Sequence, residues 1–309
     1  MKIINLVACS ISTTILLGGC FGAENGQKSP NEQNSLDRPE DQFESALTYT
    51  GEGYDLPGGG KAEKIAAEHK DEVVKATKDY LKKEYNTDVD VHNMVGNQNG
   101  VTVFYESVGG VHFYSTAIVP IDIENETVLS SNVWTLEGEV EKGIETGLFA
   151  LWRKEEFDQL DSLLEEILQE NKNIVGRKLE AIQNVGGNGF MTPYYFVQPL
   201  KYEDAFQEAI DLYLKSSDPD TEDIISSINQ EINSDDFLIS IQFFMKNPEA
   251  QPSQEIFKAI KEKVENANQI PPGTYVLSIN DHYIHKESSE GYKKNSISLE
   301  EFEGIEKDS

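Results

Sequence analysis

The chain has 309 residues and a formal charge of −29, with 55 acidic side chains against 26 basic ones. That balance excludes a nucleic-acid partner, whose phosphates need clustered Lys and Arg, and it keeps a folded body off anionic lipid. It fits a soluble, self-repelling protein.

The first residues have the layout of an export signal. Lys2 supplies a positive start, Ile3 to Leu17 is an apolar stretch broken by Asn5 and a few Ser and Thr, and Gly18-Gly19 precede Cys20. About 15 apolar residues suit a signal peptide and fall short of the roughly 20 that a spanning helix needs. Polar sequence follows from Glu24 onward with no stop-transfer pattern, so residues 1–19 read as a signal peptide.

Leu17-Gly18-Gly19-Cys20 resembles the lipobox of bacterial lipoproteins, with Gly18 a mild departure from the usual Ala or Ser. The resemblance implies that the Cys20 sulfur takes a diacylglyceryl group. A dedicated peptidase, recognising Leu17, Gly18 and Gly19, then cuts just before it. Two small glycines leave room for that peptidase, and the thiol is the strong nucleophile that can accept the lipid. Two acyl chains anchor stably where one is marginal, because each buried methylene contributes about 0.8 kcal/mol. The expected partner is therefore the membrane, through Cys20. The expected location is the cell membrane, facing outside the cytoplasm. Cys9 leaves with the signal peptide, so neither disulfide nor thiol chemistry is expected of the mature chain.

Residues 20–45 read as a lipidated tether. Asn, Gln, Ser, Gly and Pro dominate them, and such a composition buries too little surface to fold. About 25 flexible residues span roughly 25–30 Å. The remainder is long enough for one large domain or two small ones.

Gly58-Gly59-Gly60 breaks the chain, and Lys61 to Tyr85 then reads as one amphipathic helix stopped by Asn86. From Val89 the period switches to two. Runs at 89–91, 101–105, 112–118 and 127–136 predict an antiparallel meander of about four strands, with a turn at Gly109-Gly110. Glu139 to Gln169 returns to a helical pattern in two pieces. Ile174 to Ile182 reads as helix or strand, and Gly186-Gly187-Asn188-Gly189 is a breaker. Strands follow at 190–197, 237–245, 274–279 and around Tyr283-Ile284. Helices are expected at 204–214, from Asp218-Pro219-Asp220 through Ile232, and at 253–264. The end, 300–309, is acidic and reads as frayed. The fold class is α+β, with helices packed on mainly antiparallel sheet, in two units of similar style at 46–175 and 176–309.

Motifs that would carry chemistry are weak. His282 and His285 stand three apart in a strand, so they point to opposite faces, and zinc needs further ligands. His92 and His112 admit a cross-strand pairing. Asp218, Asp220, Glu222 and Asp223 fail the calcium-loop rule, because its sixth and twelfth positions hold Asp223 and Asn229; they read as helix-capping acids. Neither glycine cluster has the spacing of a phosphate loop, and no Gly-x-Ser-x-Gly elbow occurs. Among 55 acids, carboxylate pairs carry no information. No catalytic residue, metal ligand or cofactor site is assigned.

The whole chain is similar to a family of Gram-positive lipoproteins, best known from staphylococci and catalogued as a domain of unknown function. The residues behind this are Leu17 to Cys20, the helix end Lys78-Asp79-Tyr80-Leu81, and Phe190-Met191-Thr192-Pro193-Tyr194-Tyr195-Phe196. The resemblance implies the outer face of the cytoplasmic membrane and transfers no activity. The expected function is a non-enzymatic binding or interaction module for a protein or small ligand. The alternative is a cell-surface hydrolase using carboxylates.

Overall fold

The computed structural model describes residues 39–201, 204–215, 221–228, 232–299 and 303–308. The expected signal peptide with Leu17, Gly18 and Gly19, the expected lipidation site Cys20, most of the expected tether and Asp218-Pro219-Asp220 lie outside the described residues.

A short strand, β1 (Phe43–Ser45), comes first. Strand β1 thus includes residues that the composition assigns to the tether. The expected helix from Lys61 is two helices, α1 (Gly60–Glu68) and α2 (Lys70–Tyr85). His69 sits between them outside helical geometry, its N–H still bonded to the carbonyl of Ile65 and its own carbonyl accepting from Val73. The join is therefore a kink within a nearly continuous apolar stripe, which is why periodicity alone does not reveal it. Asn86 ends α2 in the left-handed conformation at φ 52°, the geometry that Asn tolerates at a helix end.

The meander follows as β2 (Val89–Asn97), β3 (Gly100–Ser107), β4 (Tyr114–Asp122) and β5 (Thr127–Val128), paired in that order and antiparallel throughout. The fourth strand is far shorter than the expected 127–136, because Ser130–Asn132 turns into a 3-10 helix. Helix α1 can lie close on this sheet because Gly59 meets Gly96 of β2. A Cβ on Gly59 would stand 1.9 Å from the Gly96 carbonyl carbon.

The acid-rich helical stretch is α3 (Glu139–Trp152) and α4 (Lys154–Glu170), two pieces as expected. Phe157, Leu160, Leu164 and Ile167 form the buried stripe of α4, three and four residues apart as one face of a helix requires. Residues 174–182 supply both alternatives, a strand β6 (Ile174–Val175) and then α5 (Leu179–Val185). Strand β7 (Tyr195–Pro199), helices α6 (Asp204–Lys215) and α7 (Thr221–Ser226), and strand β8 (Phe237–Met245) come next. Helix α8 (Gln254–Asn266) is capped by Ser253, whose hydroxyl accepts from the Ile256 N–H at 3.3 Å.

Strands β9 (Gly273–Asn280), β10 (Tyr283–His285), β11 (Glu290–Gly291), β12 (Ser296–Ser298) and β13 (Ile305–Lys307) complete the chain. Strands β1, β10 and β11 make a small antiparallel sheet. The third sheet runs β12-β9-β8-β6, with β7 also on β8 and β13 also on β9. Its β8–β9 pair is parallel, with α8 as the crossover, in a fold whose other ladders are antiparallel among the described residues. The C-terminal stretch is not frayed over Ile305–Lys307, which pairs with Gly273–Tyr275. The Lys307 ammonium also donates to the carbonyls of Glu265 and Ala267.

The fold is α+β. The chain from Arg38 to Ser309 forms one compact unit. Residues before and after position 175, among them Val103, Leu164, Phe206 and Phe243, belong to one buried core. At its centre Phe149 of α3 stacks on Phe237 of β8, with centroids 4.0 Å apart and planes 6° from parallel. Phe206 of α6 meets both rings edge-on, and Phe157 of α4 meets Phe149 likewise. Three helices are thus fixed to one strand through aromatic contacts.

Phe149→Ala removes the shared ring. It is expected to lower the unfolding free energy by about 3–5 kcal/mol, read as a reduced urea midpoint at unchanged slope. A loss below about 1 kcal/mol contradicts the central place given to this ring.

Candidate functional site

Strands β7, β8, β9 and β12 have one face in the core and the other on a cleft. In a strand, alternate side chains point to opposite faces. Tyr195, Val197, Ile239, Ile241, Phe243, Tyr275, Leu277 and Ile279 fill the core face, all at most 2% exposed. The residues between them are largely polar. Gln242 stands opposite Ser278, Ser278 opposite Ser298, and Asn280 opposite Ser296. Together with Phe196 and Gln198 of β7, these form the floor of a cleft of about 600 Å³.

One wall is the end of α5, Ile182 and Val185, continuing into Gly186-Gly187-Asn188 and the segment Met191 to Tyr194. The glycine cluster that reads as a plain turn in the sequence therefore lies on the cleft. So does most of the aromatic segment 190–196. Tyr54 and the loop Ser288–Gly291 close the opposite side, with Lys293 at the margin. A volume of this size suits a small molecule or the end of a chain.

The charge at the centre is Arg177, one of three arginines in the sequence. It leaves β6 through Gly176, whose missing side chain lets the backbone pass Pro193 and Tyr194. A Cβ there would stand 2.5 Å from the Pro193 carbonyl oxygen and 2.5 Å from the Tyr194 ring. The Arg177 N–H donates to that same carbonyl at 2.8 Å. In the side chain, Nε donates to Gln242 Oε1 at 2.8 Å, and Nη1 donates to the Ser289 carbonyl at 2.6 Å and to Ser289 Oγ at 3.2 Å. The Phe244 ring lies 5.7 Å from the guanidinium carbon.

Every one of these acceptors is neutral. Among the described residues, no carboxylate forms an ion pair with Arg177, and Nη2 has no acceptor. Burial pulls the guanidinium below the ordinary arginine value, while Tyr49 and Glu290 pull it back; an arginine side chain nevertheless stays charged in water-accessible proteins. Glu290, the acid whose charge acts on Arg177, lies 3.8 Å from the Lys293 ammonium. Tyr54 is held neutral, its phenol pushed up by burial and then by the Glu290 charge. Tyr49 donates to the Lys286 carbonyl at 3.0 Å and steadies the loop that carries Ser289. The site can thus attract an anion and offer it neutral hydrogen-bonding groups on the floor.

The histidines lie elsewhere. His282 is buried, with Nδ1 3.0 Å from the Met245 carbonyl, and His285 is beside Ser288 at 3.2 Å. His92 occupies the bulge in β2 and lies 3.1 Å from Glu106. His112 packs edge-on against Tyr114 and Phe190 instead of facing His92. No cluster of three or more His, Cys, Asp or Glu able to hold a metal occurs among the described residues. No helix among them is long and apolar enough to cross a membrane.

The model of a family described as "Protein of unknown function (DUF1672)" matches residues 37–307. The chain belongs to this family. A crystal structure of a DUF1672 family protein from Staphylococcus aureus subsp. aureus Mu50 is similar in fold, with a TM-score of 0.67 at 20% identity. The match covers 87% of this chain and 99% of that one. A DUF5037 family protein from Ruminococcus gnavus ATCC 29149 matches at a TM-score of 0.27 and 15% identity, over 68% of this chain and 76% of the other. No curated protein matches.

Two glycine substitutions test the packing behind Arg177. Gly176→Ala is expected to cost about 1–3 kcal/mol, because the atoms it meets include backbone that cannot step aside. Gly60→Ala, at a helix start with nothing within 4 Å of the added carbon, is expected to gain roughly 0.4–1 kcal/mol. Chemical denaturation of both variants checks the pair; equal effects would contradict the close approach at Pro193.

Proposed function

We propose that this DUF1672 chain is an extracytoplasmic binding module, anchored to the cell membrane by lipid on Cys20, and that the cleft over the third sheet takes its ligand. The anchor rests on the sequence at Leu17 to Cys20. The binding role rests on one observation, the partly buried guanidinium of Arg177, which faces neutral acceptors in a cleft of small-molecule size. Burying an uncompensated charge is costly. A ligand that completes its partners would recover part of that cost.

Two experiments address the two parts. Cys20→Ser is expected to move the full-length protein from the membrane fraction to the soluble fraction and to abolish the diacylglyceryl mass on the mature chain. Retention of the variant in the membrane overturns the anchor. For binding, thermal unfolding of the released Cys20→Ser protein is measured against a broad library of neutral and charged small molecules. A ligand that binds only the folded state raises the transition. A library in which no compound raises it counts against the binding role.

A further inference from the structure

We infer that the cleft selects ligands bearing a single carboxylate, recognised by Arg177 Nη2 together with Gln242 Nε2. This rests on the binding role proposed above and specifies its chemistry.

The guanidinium and the amide fix each other. Arg177 Nε donates to Gln242 Oε1 at 2.8 Å, so the amide must turn its Nε2 away from the arginine as a donor. Nη1 is committed to Ser289. That leaves Nη2 and Nε2 as two N–H donor groups without an acceptor among the described residues, on two residues that both line the cleft. A carboxylate has two oxygens and accepts from both kinds of donor. Bonds from a charged donor to such an oxygen are about twice as strong as neutral ones.

The surrounding charge argues for one negative charge rather than two. Glu290 already acts on both Arg177 and Tyr54. Glu290 and Lys293, 3.8 Å apart on the cleft lining, largely offset each other, so a dianionic phosphate would set two charges against the single one of Arg177. A carboxylate balances the guanidinium charge. The rest of the floor offers hydroxyls and amides at Ser278, Ser298 and Gln198, which suit the uncharged polar body of such a ligand. Tyr54 and Phe196 give flat surfaces for its apolar part.

The test uses the soluble Cys20→Ser protein and a set of small carboxylic acids, each matched with its primary amide, read by ligand-observed NMR with inorganic phosphate as competitor. Acids are expected to bind and their amides to bind about 30-fold more weakly or not at all. Arg177→Met is expected to abolish acid binding. Because that variant also loses the hydrogen bonds to Gln242 and Ser289 that hold the fold here, Gln242→Glu provides the second arm. It places a carboxylate of the chain itself beside the guanidinium, so the protein should melt no lower than its parent while acid binding falls by a similar factor. Acids and amides that bind equally well, or phosphate that displaces the acids at lower concentration, overturn the carboxylate assignment and leave the binding role standing. Acid binding unchanged in a folded Gln242→Glu protein also overturns it. Failure of every acid and every amide to bind sinks this assignment and the binding role together.

Discussion

Strand β8 is held between two media, and the arrangement of the rest follows from that constraint. Its odd-numbered residues from Phe237 to Phe243 must leave water, and α3, α4 and α6 gather on them around the Phe149–Phe237 stack. Its even-numbered residues include Gln242, which lines the cleft and loses little by meeting solvent or a ligand. A central strand with neighbours on both edges cannot slip by one residue without exchanging those faces. Register, core and cleft floor are therefore one decision. The parallel neighbour β9 repeats the alternation with Tyr275, Leu277 and Ile279 on the core side and Ser278 and Asn280 on the other. Helix α8 supplies the crossover that a parallel pair needs.

Arg177 is the electrostatic counterpart. In a chain this acidic, a partly buried cation would be expected to capture a carboxylate from its own surroundings. Its neighbours are instead an amide, a backbone carbonyl and a hydroxyl. Neutral acceptors hold the guanidinium in place without cancelling its charge. That differs from Lys263, which binds both Glu166 and Glu170 at the surface and has no charge left to offer. The distinction separates a cation that can attract a ligand from one that ties two helices together.

Much of the fold was legible in local pattern, and the cleft was not. The meander was readable because β2 to β4 alternate and end in turn residues, and α4 because its apolar residues recur at helical spacing. The kink at His69 was hidden, since both halves share one stripe. The pairing of Ile305–Lys307 escaped notice because an acidic composition says nothing about a distant edge offered by β9. Parallel pairing of β8 and β9 is a matter of which edges meet, and period-two alternation is the same for either direction. Of the cleft, Gln242 inside a largely apolar strand was the available signal for a second, wetter face. Arg177 gave none. Its burial depends on Pro193, Gln242 and Ser289, which stand 16, 65 and 112 residues away along the chain.

The segment around β1 bears on the same charge. Strand β1 pairs with β10, and just beyond it Ala46 and Tyr49 pack with Val185, Phe244 and Ile284 in a small separate core. Val185 belongs to one wall of the cleft, and Phe244 lies under the guanidinium. The Tyr49 hydroxyl holds Lys286, the residue from which the chain turns toward Ser289. Residues 43–54 are thus structural neighbours of the Arg177 cradle, although they are more than a hundred positions away in sequence. Removing Tyr49 would loosen the loop whose carbonyl fixes Nη1, and with it the direction in which Nη2 can donate. The position of the charge is set by residues 43–54 as much as by the strand from which Arg177 emerges.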